Sequence, residues 1–526
     1  MTDANGMAVA REVRTVCDVV RSSLGPFGAN KLIVEDDGTV TTTSSGSETV
    51  ERLDVSNPAV SLLKTAVDDF SGEHGDGAST VVTVLGGLLR EADRLLDQGV
   101  HPTVVERGYR DAMTVAGEYL GRYARPLDEF GTAAVARTAL TGTRDPNARA
   151  VVAEYIAEVV DDIAESERES VEQSVKVASR IGGAQAETQL VSGVVLDLDP
   201  AGETMPRSID RGGVAVLTST VDVPNLGSTG SSAQRRVSVD SFETREALGE
   251  RERSQFRETL SAAVDAGCRV VFTAMAVNER VVNRLANRGV LAVPQVDEDD
   301  LGRIARATGA TVVPSLTDVT AETLGRGDVE VRRHAGTDMI HVEGRSNPVY
   351  TLFCRVPDPR AADEFEASVE HALLAAASAR ESETVVPGGG AAVTGAAQAV
   401  REHARSVSGR EQLAVEAFGD ALTDVPRSLA RNGGMDGWEA LIQLVVAHTE
   451  GHDANGVDSV LGETRDVLAD DPLVDPTEQT RAAFATATDL AVRLVRIDEQ
   501  LAASDLGDDE SVTTSAGVPE PGAGAR

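Results

Sequence analysis

Lysine is nearly absent from this chain. Only Lys31, Lys64 and Lys176 occur among its 49 basic residues. None of the three follows a glycine, so no Walker A loop exists, and any nucleotide must be held by another route. Aromatic residues are scarce at 3%, which leaves Val, Leu and Ala to build the cores. The cysteines number 3, at positions 17, 268 and 354, with no CxxC pair. They read as reduced structural thiols of a cytoplasmic protein rather than as a disulfide frame or zinc site. No apolar run approaches the roughly 18 residues that span a bilayer. The start, MTDANGMAVAREVR, lacks the basic and apolar regions of a signal peptide. Positive charge is also in deficit: 85 acidic residues give a net charge of −36. A phosphate backbone needs a basic face, which excludes nucleic acid as a partner. Dispersed acid with so little lysine points to work in very high salt, where repulsion is screened within about 3 Å.

What is present is a long chain that changes character twice. At 526 residues it exceeds one compact core, so two or three domains are expected. The first 125 or so residues read as helical. Ala8 to Ser23 carries apolar residues at helical spacing until Leu24-Gly25-Pro26 breaks it. A strand pair follows, Lys31–Val34 and Thr39–Thr43 around Asp36-Asp37-Gly38. Ser56-Asn57-Pro58 opens another helix, and Gly75-Asp76-Gly77 opens the apolar helix Val81–Leu96. From about 194 to 349, short β-branched runs at 213–217, 269–272, 290–293 and 311–313 alternate with helical stretches such as Val277–Arg288 and Asp299–Thr308. That alternation indicates an α/β domain. Helical patterning then resumes to about Ala503, as when one domain is inserted in another. The last residues, 504–526, lack apolar periodicity and read as a disordered tail.

Glycine turns mark where a phosphate could sit. Leu24-Gly25-Pro26 and Gly75-Asp76-Gly77 let backbone amides come close, and the helix after each adds its positive end. Asp76 could hold magnesium, which takes one or two carboxylates plus phosphate oxygens, with Ser79 and Thr80 beside it. Each turn reads equally well as a capped helix start. Pro387-Gly388-Gly389-Gly390 shares that ambiguity and lacks the GxGxxG spacing of a dinucleotide fold. His448 and His452 straddle a helix end at Gly451 and read as a solvated pair rather than metal ligands.

Order and spacing decide what the single motifs leave open. SSLGPFGANK, HGDGAST, LLDQGVHPTVVERGYRDA, VVPGGGA, GREQLAVEAFGDAL and LVRID, taken in sequence, resemble the motifs of the group II chaperonins of the thermosome type. ARATGATVVPSLTDVTAETLG and HVEGRSNP resemble the same family's apical domain, so the likeness runs from about residue 7 to 503. The resemblance implies a multidomain α+β and α/β fold. Residues 1–130 and 387–503 would form a helical equatorial domain from both chain ends, 131–193 and 350–386 a discontinuous intermediate domain, and 194–349 an α/β apical domain. It implies ATP and Mg as cofactors, and homologous subunits in a double ring as partners. It also implies unfolded polypeptides as clients, and neither nucleic acid nor membrane. Carried onto this sequence, the nucleotide-binding positions are Ser23, Leu24, Gly25, Pro26, Gly46, Gly77, Ala78, Ser79, Thr80, Gly389 and Asp498, with Asp76 for the metal.

Departures follow. The family's lysine in the first loop is Phe27 here, and Ala78 stands where a phosphate-contacting hydroxyl is implied. The Asn-Asp-Gly after the first hairpin reads Ser44-Ser45-Gly46, and the Ser-x-x-Asp-Ala-Leu segment reads Ser368-Val369-Glu370-His371-Ala372-Leu373. Both water-activating aspartates are therefore replaced, by Ser45 and His371. Thr-Gly-Lys has become Thr141-Gly142-Thr143. Glu370 and Glu48 are the nearest acids, but adjacent helix positions such as 370 and 371 diverge by about 100°. The segment Ser241–Leu260, matching the lid protrusion, is dominated by charge. Three readings result: an ATP-binding chaperonin subunit with a degenerate hydrolytic site, a fully ATP-hydrolysing folding chaperonin, or an ATP-independent holdase.

Overall fold

The structure, a computed structural model, describes residues 6–34, 38, 40–53, 57–141, 145–163, 168–222, 242–334 and 336–497. Part of the first hairpin's turn, Ser56, Thr143, Ser241, Asp498 and the tail expected over 504–526 lie outside these residues.

Helix α1 (Gly6–Val20) runs into a short 3-10 turn at Arg21–Ser23. Strands β1 (Lys31–Val34) and β2 (Val40–Thr43) pair antiparallel with Lys31 opposite Thr43. Helices α2 (Gly46–Arg52), α3 (Pro58–His74), α4 (Ala78–Asp97) and α5 (Pro102–Tyr123) follow. The Asn57 side chain caps α3 by accepting from the Ala59 amide at 2.8 Å. Pro58 sits in the first turn, where a missing N–H costs nothing. Helix α4 is buried on every side from Val81 to Leu89, the mark of a helix at the centre of a core.

The chain then forms β3 (Arg125–Pro126), α6 (Thr132–Ala139), α7 (Pro146–Asp162), α8 (Arg168–Ser174), β4 (Val175–Ile181) and β5 (Gln189–Ser192). A mixed sheet comes next, in the order β6 (Val194–Leu196), β12 (Thr337–Gly344), β11 (Gly325–His334), β7 (Ser208–Leu217), β8 (Cys268–Thr273) and β9 (Leu291–Val293). Strand β10 (Val312–Val313) joins it beside β7. Helices α9 (Phe242–Asp265), α10 (Glu279–Asn287) and α11 (Glu298–Thr308) connect these strands. The runs of β-branched residues form the parallel half, β7, β8, β9 and β10. The antiparallel pair β11 and β12 carries Arg, Glu and Asp and gave no such signal in the sequence.

Strand β13 (Tyr350–Val356) returns between β4 and β5. It leads into α12 (Pro359–Ser382), β14 (Thr384–Pro387) and the helices α13 (Ala391–Ala404), α14 (Glu411–Leu422), α15 (Asp424–Asn432) and α16 (Gly437–Thr449). The hairpin β15 (Asn455–Asp458) and β16 (Glu463–Asp466), then β17 (Val474–Pro476) and α17 (Thr477–Val495), complete the described chain.

Three large apolar cores hold this together. One joins Ala10–Leu120 to Val386–Val495, so both ends of the chain share it. Tyr109, fully buried, meets Phe418 edge to face at 5.9 Å and donates its hydroxyl to the Leu88 carbonyl at 2.8 Å. Burying each such ring is worth roughly 2–3 kcal/mol. A second core lies within residues 194–349. The third links 127–175 with 352–385 and Val474. The small sheet β17-β14-β3 stitches three distant segments together beneath the Pro387–Gly390 turn.

All three cysteines are buried and free. Burial pushes their thiols well above the ordinary value. His448 corrects the sequence reading: it is 6% exposed, not solvated, and its Nε2 bonds the Asn455 carbonyl at 2.8 Å. The hairpin that folds back over α16 covers it, whereas His452 stays exposed. Among the described residues, no helix is long and apolar enough to cross a membrane.

Candidate functional site

A cleft opens where the first and third cores meet. Its empty volume, mouth included, is about 1540 Å³, ample for a nucleoside triphosphate. Ser23, Leu24, Gly25 and Pro26 line it, as do Gly46, Gly77, Ala78, Ser79, Thr80, Gly389 and the metal candidate Asp76. Every nucleotide or metal candidate within the described residues thus reaches one cavity. Asp498 lies beyond them. Phe27 does not line the cleft, although Pro26 does.

One wall is made of backbone. Gly77 takes a φ of +101° as the N-cap of α4, a conformation that side chains rarely adopt. Gly389, at φ +58°, lies so close to β15 that a Cβ there would stand 2.5 Å from the Val457 oxygen. Val457 in turn donates its amide to the Gly389 carbonyl at 2.8 Å. Helices α4 and α13 begin directly after these turns, so two positive helix ends face the cleft.

Asp76 sits in the first of these turns. Burial lifts its carboxyl above the ordinary range, opposed by the nearby His371 and by the Gly77 amide that bonds it. Gln479, 5% exposed, donates from Nε2 to the Asp76 carbonyl, and its Oε1 has no partner among the described residues. A half-buried carboxylate that makes no ion pair among the described residues is the donor chemistry a hard divalent cation takes. Among the described residues, no group of three His, Cys, Asp or Glu is placed to hold a metal. A cation at Asp76 therefore needs oxygens from a ligand as well.

A second, adjoining wall is made of side chains. Ser45 caps α2, its Oγ accepting the Glu48 amide at 3.3 Å and lying 2.9 Å from Ser47 Oγ. Serine and aspartate both cap well, so the helix start survives while no carboxylate remains there. On α12, Glu364, Ala367, Ser368 and His371 face the cleft at helical spacing. Burial holds His371 below its ordinary pKa despite the charges of Asp76 and Glu48. Burial therefore favours its neutral form.

A scan of protein families matches residues 16–505 to the TCP-1/cpn60 chaperonin family. The chain is 35% identical over 501 residues to a thermosome subunit of Methanopyrus kandleri, covering 94% of this chain and 91% of that one. It is 34% identical over 503 residues to thermosome subunit 3 of Haloferax volcanii, covering 94% of each. It is 33% identical over 506 residues to thermosome subunit beta of Thermococcus kodakarensis, covering 94% and 91%. The chain belongs to the TCP-1/cpn60 chaperonin family.

In this chaperonin chain the acids near Ser45 and His371 are differently occupied. Glu370 faces away from the cleft into a second cavity with Lys176, Asp300 and Arg303, as the angle between adjacent helix positions requires. Glu48 lines the cleft, but its Oε1 is paired with Arg52 Nε at 2.9 Å. Glu364, which the sequence gave no reason to choose, accepts from Ser44 Oγ at 2.5 Å.

Other residues of the chaperonin cleft were equally hidden in the sequence. Arg137 on α6, Arg149 on α7, Asp475 and Gln479 all line it. Asp475 lies opposite Val386 in the small sheet, under the glycine turn. Burial, and then the charge of Asp76, push its carboxyl up to about 7. The only sequence signal was Asp475-Pro476-Thr477, a helix-start pattern that says nothing of a ligand.

Proposed function

We propose that this chain is a chaperonin subunit that binds ATP with magnesium in this cleft, hydrolyses it very slowly, and contributes to a double ring that holds unfolded protein. Residues 1–130 with 387–503 form the equatorial domain on this reading, 131–193 with 350–386 the intermediate domain, and 194–349 the apical domain. Nucleotide binding is supported by the backbone wall, where the α4 and α13 ends receive phosphates and Ser79 and Thr80 add hydroxyls. Asp76, with phosphate oxygens, is the group to hold magnesium, which neutralises charge on the phosphates when bound. Asp475, beneath the Gly389 turn, is a carboxylate able to accept from sugar hydroxyls.

One observation supports the reduced turnover: Ser45 and His371, the lining positions that the resemblance assigns to the water-activating aspartates, carry no carboxylate. A neutral imidazole can accept a proton but supplies no negative charge to orient a metal-bound water. Loss of one general base costs about 10²- to 10⁴-fold. Losses that act together do not simply multiply. Assembly is supported by the family and by the β1–β2 hairpin, where Leu32, Val34 and Val40 are 69%, 64% and 58% exposed, an apolar edge suited to another subunit. A net charge of −36 supports function in concentrated salt.

The test has two parts. The native complex is isolated in molar potassium chloride and its mass and subunit composition are measured; a ring is expected, and a monomer alone overturns assembly. Purified subunit, free of active paralogues, is then assayed for phosphate release. A rate equal to that of carboxylate-bearing relatives overturns the degenerate-site reading.

A further inference from the structure

Two parts of the chain meet at α11 without packing tightly. The second core lies within residues 194–349, and the third links 127–175 with 352–385. The chain passes between them at Gly193 and again between β12 and β13. Near those crossings the contact is close. Val195, Met339 and Phe353 form a small apolar cluster, and Thr351 Oγ1 donates to the Gly193 carbonyl at 2.8 Å. At α11 it is different. Leu301, Ile304 and Ala307 belong to the second core, while Asp300 and Arg303 line a cavity shared with α8, β4 and α12. Its volume, mouth included, is about 1030 Å³. A contact that leaves so much space and is bridged by charge is one that can part.

The bridge is Asp300. Its Oδ2 accepts from Lys176 Nζ at 2.6 Å, and its Oδ1 accepts from Arg303 Nη1 at 3.1 Å. The Asp300, Lys176 and Arg303 side chains are 12%, 17% and 20% exposed, so a charge stranded there would be costly. Parting strands neither partner. Arg303 stands on α11 with Asp300 and moves with it. Lys176 stays with β4, and on its own side of the cavity are Glu172 and Glu370, which make no ion pair among the described residues. A chain with only three lysines keeps one here. A compact charge on a flexible stem changes partner more readily than a guanidinium fork.

We propose that Lys176 is a two-position switch. Paired with Asp300 it latches residues 194–349 against α8 and α12. Paired with Glu172 or Glu370 it leaves them free to turn about the crossings at Gly193 and β12–β13. Both positions satisfy every charge, which is what makes the element bistable.

The experiment measures a distance across the joint in the full chain, in molar potassium chloride. Glu322→Cys and Arg405→Cys place one exposed cysteine on each side. The native Cys17, Cys268 and Cys354 are buried, so nitroxide labels attach selectively. Labelled chain is diluted into unlabelled chain, and pulsed electron resonance reads the distance distribution. Unmodified protein should show one dominant distance. Lys176→Met and Asp300→Asn should each raise the ratio of a second distance to the first about tenfold, and Lys176→Arg should leave the first dominant. Should Lys176→Met not fold, Asp300→Asn decides, since it keeps an oxygen for Arg303. Adding Glu172→Gln and Glu370→Gln to Asp300→Asn should return the distribution toward the first distance, because the released position has lost its acceptors. General loosening predicts the reverse. An unchanged distribution in Asp300→Asn overturns the latch. A distribution that the two added Gln substitutions leave unmoved, or spread further, overturns the switch.

Discussion

The two walls of the cleft differ in what they are made of, and that difference decides what substitution can do to each. The wall at Leu24–Pro26, Gly75–Thr80 and Gly389–Gly390 presents amides and helix ends. Such groups are fixed by backbone path, so most side-chain changes around them leave a phosphate cradle intact. The wall at Ser45 and α12 presents individual side chains, and on the function proposed above two of them stand in for aspartates without disturbing the local packing. Ser45 still caps α2, and His371 still packs beside the Gly75 turn, its carbonyl 2.7 Å from where a Gly75 Cβ would be. A protein can lose catalysis on such a wall while keeping its stability and its ligand.

The sharpest way to break this comparison is a rate. The unmodified subunit should release phosphate from ATP at least about a hundredfold more slowly than a relative with both carboxylates. Ser45→Asp with His371→Asp should raise turnover, since aspartate also caps α2. Binding of ATP should change far less. If the double variant stays as slow while binding ATP normally, the loss lies elsewhere, and Thr143, where the resemblance implies a lysine, becomes the next substitution to reverse.

A second test asks whether the backbone wall holds at all without salt. With a net charge of −36, self-repulsion should lower the melting midpoint sharply in dilute buffer relative to molar potassium chloride. Equal midpoints would remove the high-salt argument and leave the scarcity of lysine without a physical reason.

The third test attacks the binding wall directly. Gly389→Ala puts a Cβ against the Val457 oxygen at φ +58°, so it should cost roughly 1–3 kcal/mol of stability and weaken nucleotide binding. An alanine variant that melts and binds like the parent would show that this turn is not the rigid support described here.

Much of this arrangement was legible in the sequence, and the reasons are specific. Gly77 and Gly389 stand out because few other residues tolerate their backbone, and Asn57-Pro58 because a cap and a proline leave a local signature. Arg137, Arg149 and Gln479 stand in ordinary helices, and only the packing of α6, α7 and α17 brings them to one cleft. Glu364 was passed over because Glu370 is the nearer neighbour of His371 in sequence; two helical turns, not one position, set which acid faces the cavity. His448 was misjudged for a related reason: the hairpin that buries it follows it in the chain.

That histidine supplies the smallest effect and a test of how the backbone wall is braced. His448 holds the Asn455 carbonyl at the start of β15, and β15 in turn holds Gly389 through Val457. Burial keeps the imidazole below its ordinary value of 6.5, so the folded protein favours the neutral ring. As pH falls below about 6.5 the unfolded chain takes up a proton that the folded one resists, and stability declines with acidity. Each unit of depression is worth about 1.4 kcal/mol, or roughly 3 °C in a domain of this size. His448→Gln can still donate to Asn455 but cannot titrate. Melted at pH 7.5 and at pH 5, it should lose a few degrees less than the unmodified protein. The difference between the two proteins isolates His448 from buried His341 and half-buried His371, which both retain. Identical slopes would mean that His448 is free to protonate in the folded state and that the brace under Gly389 is looser than its geometry implies.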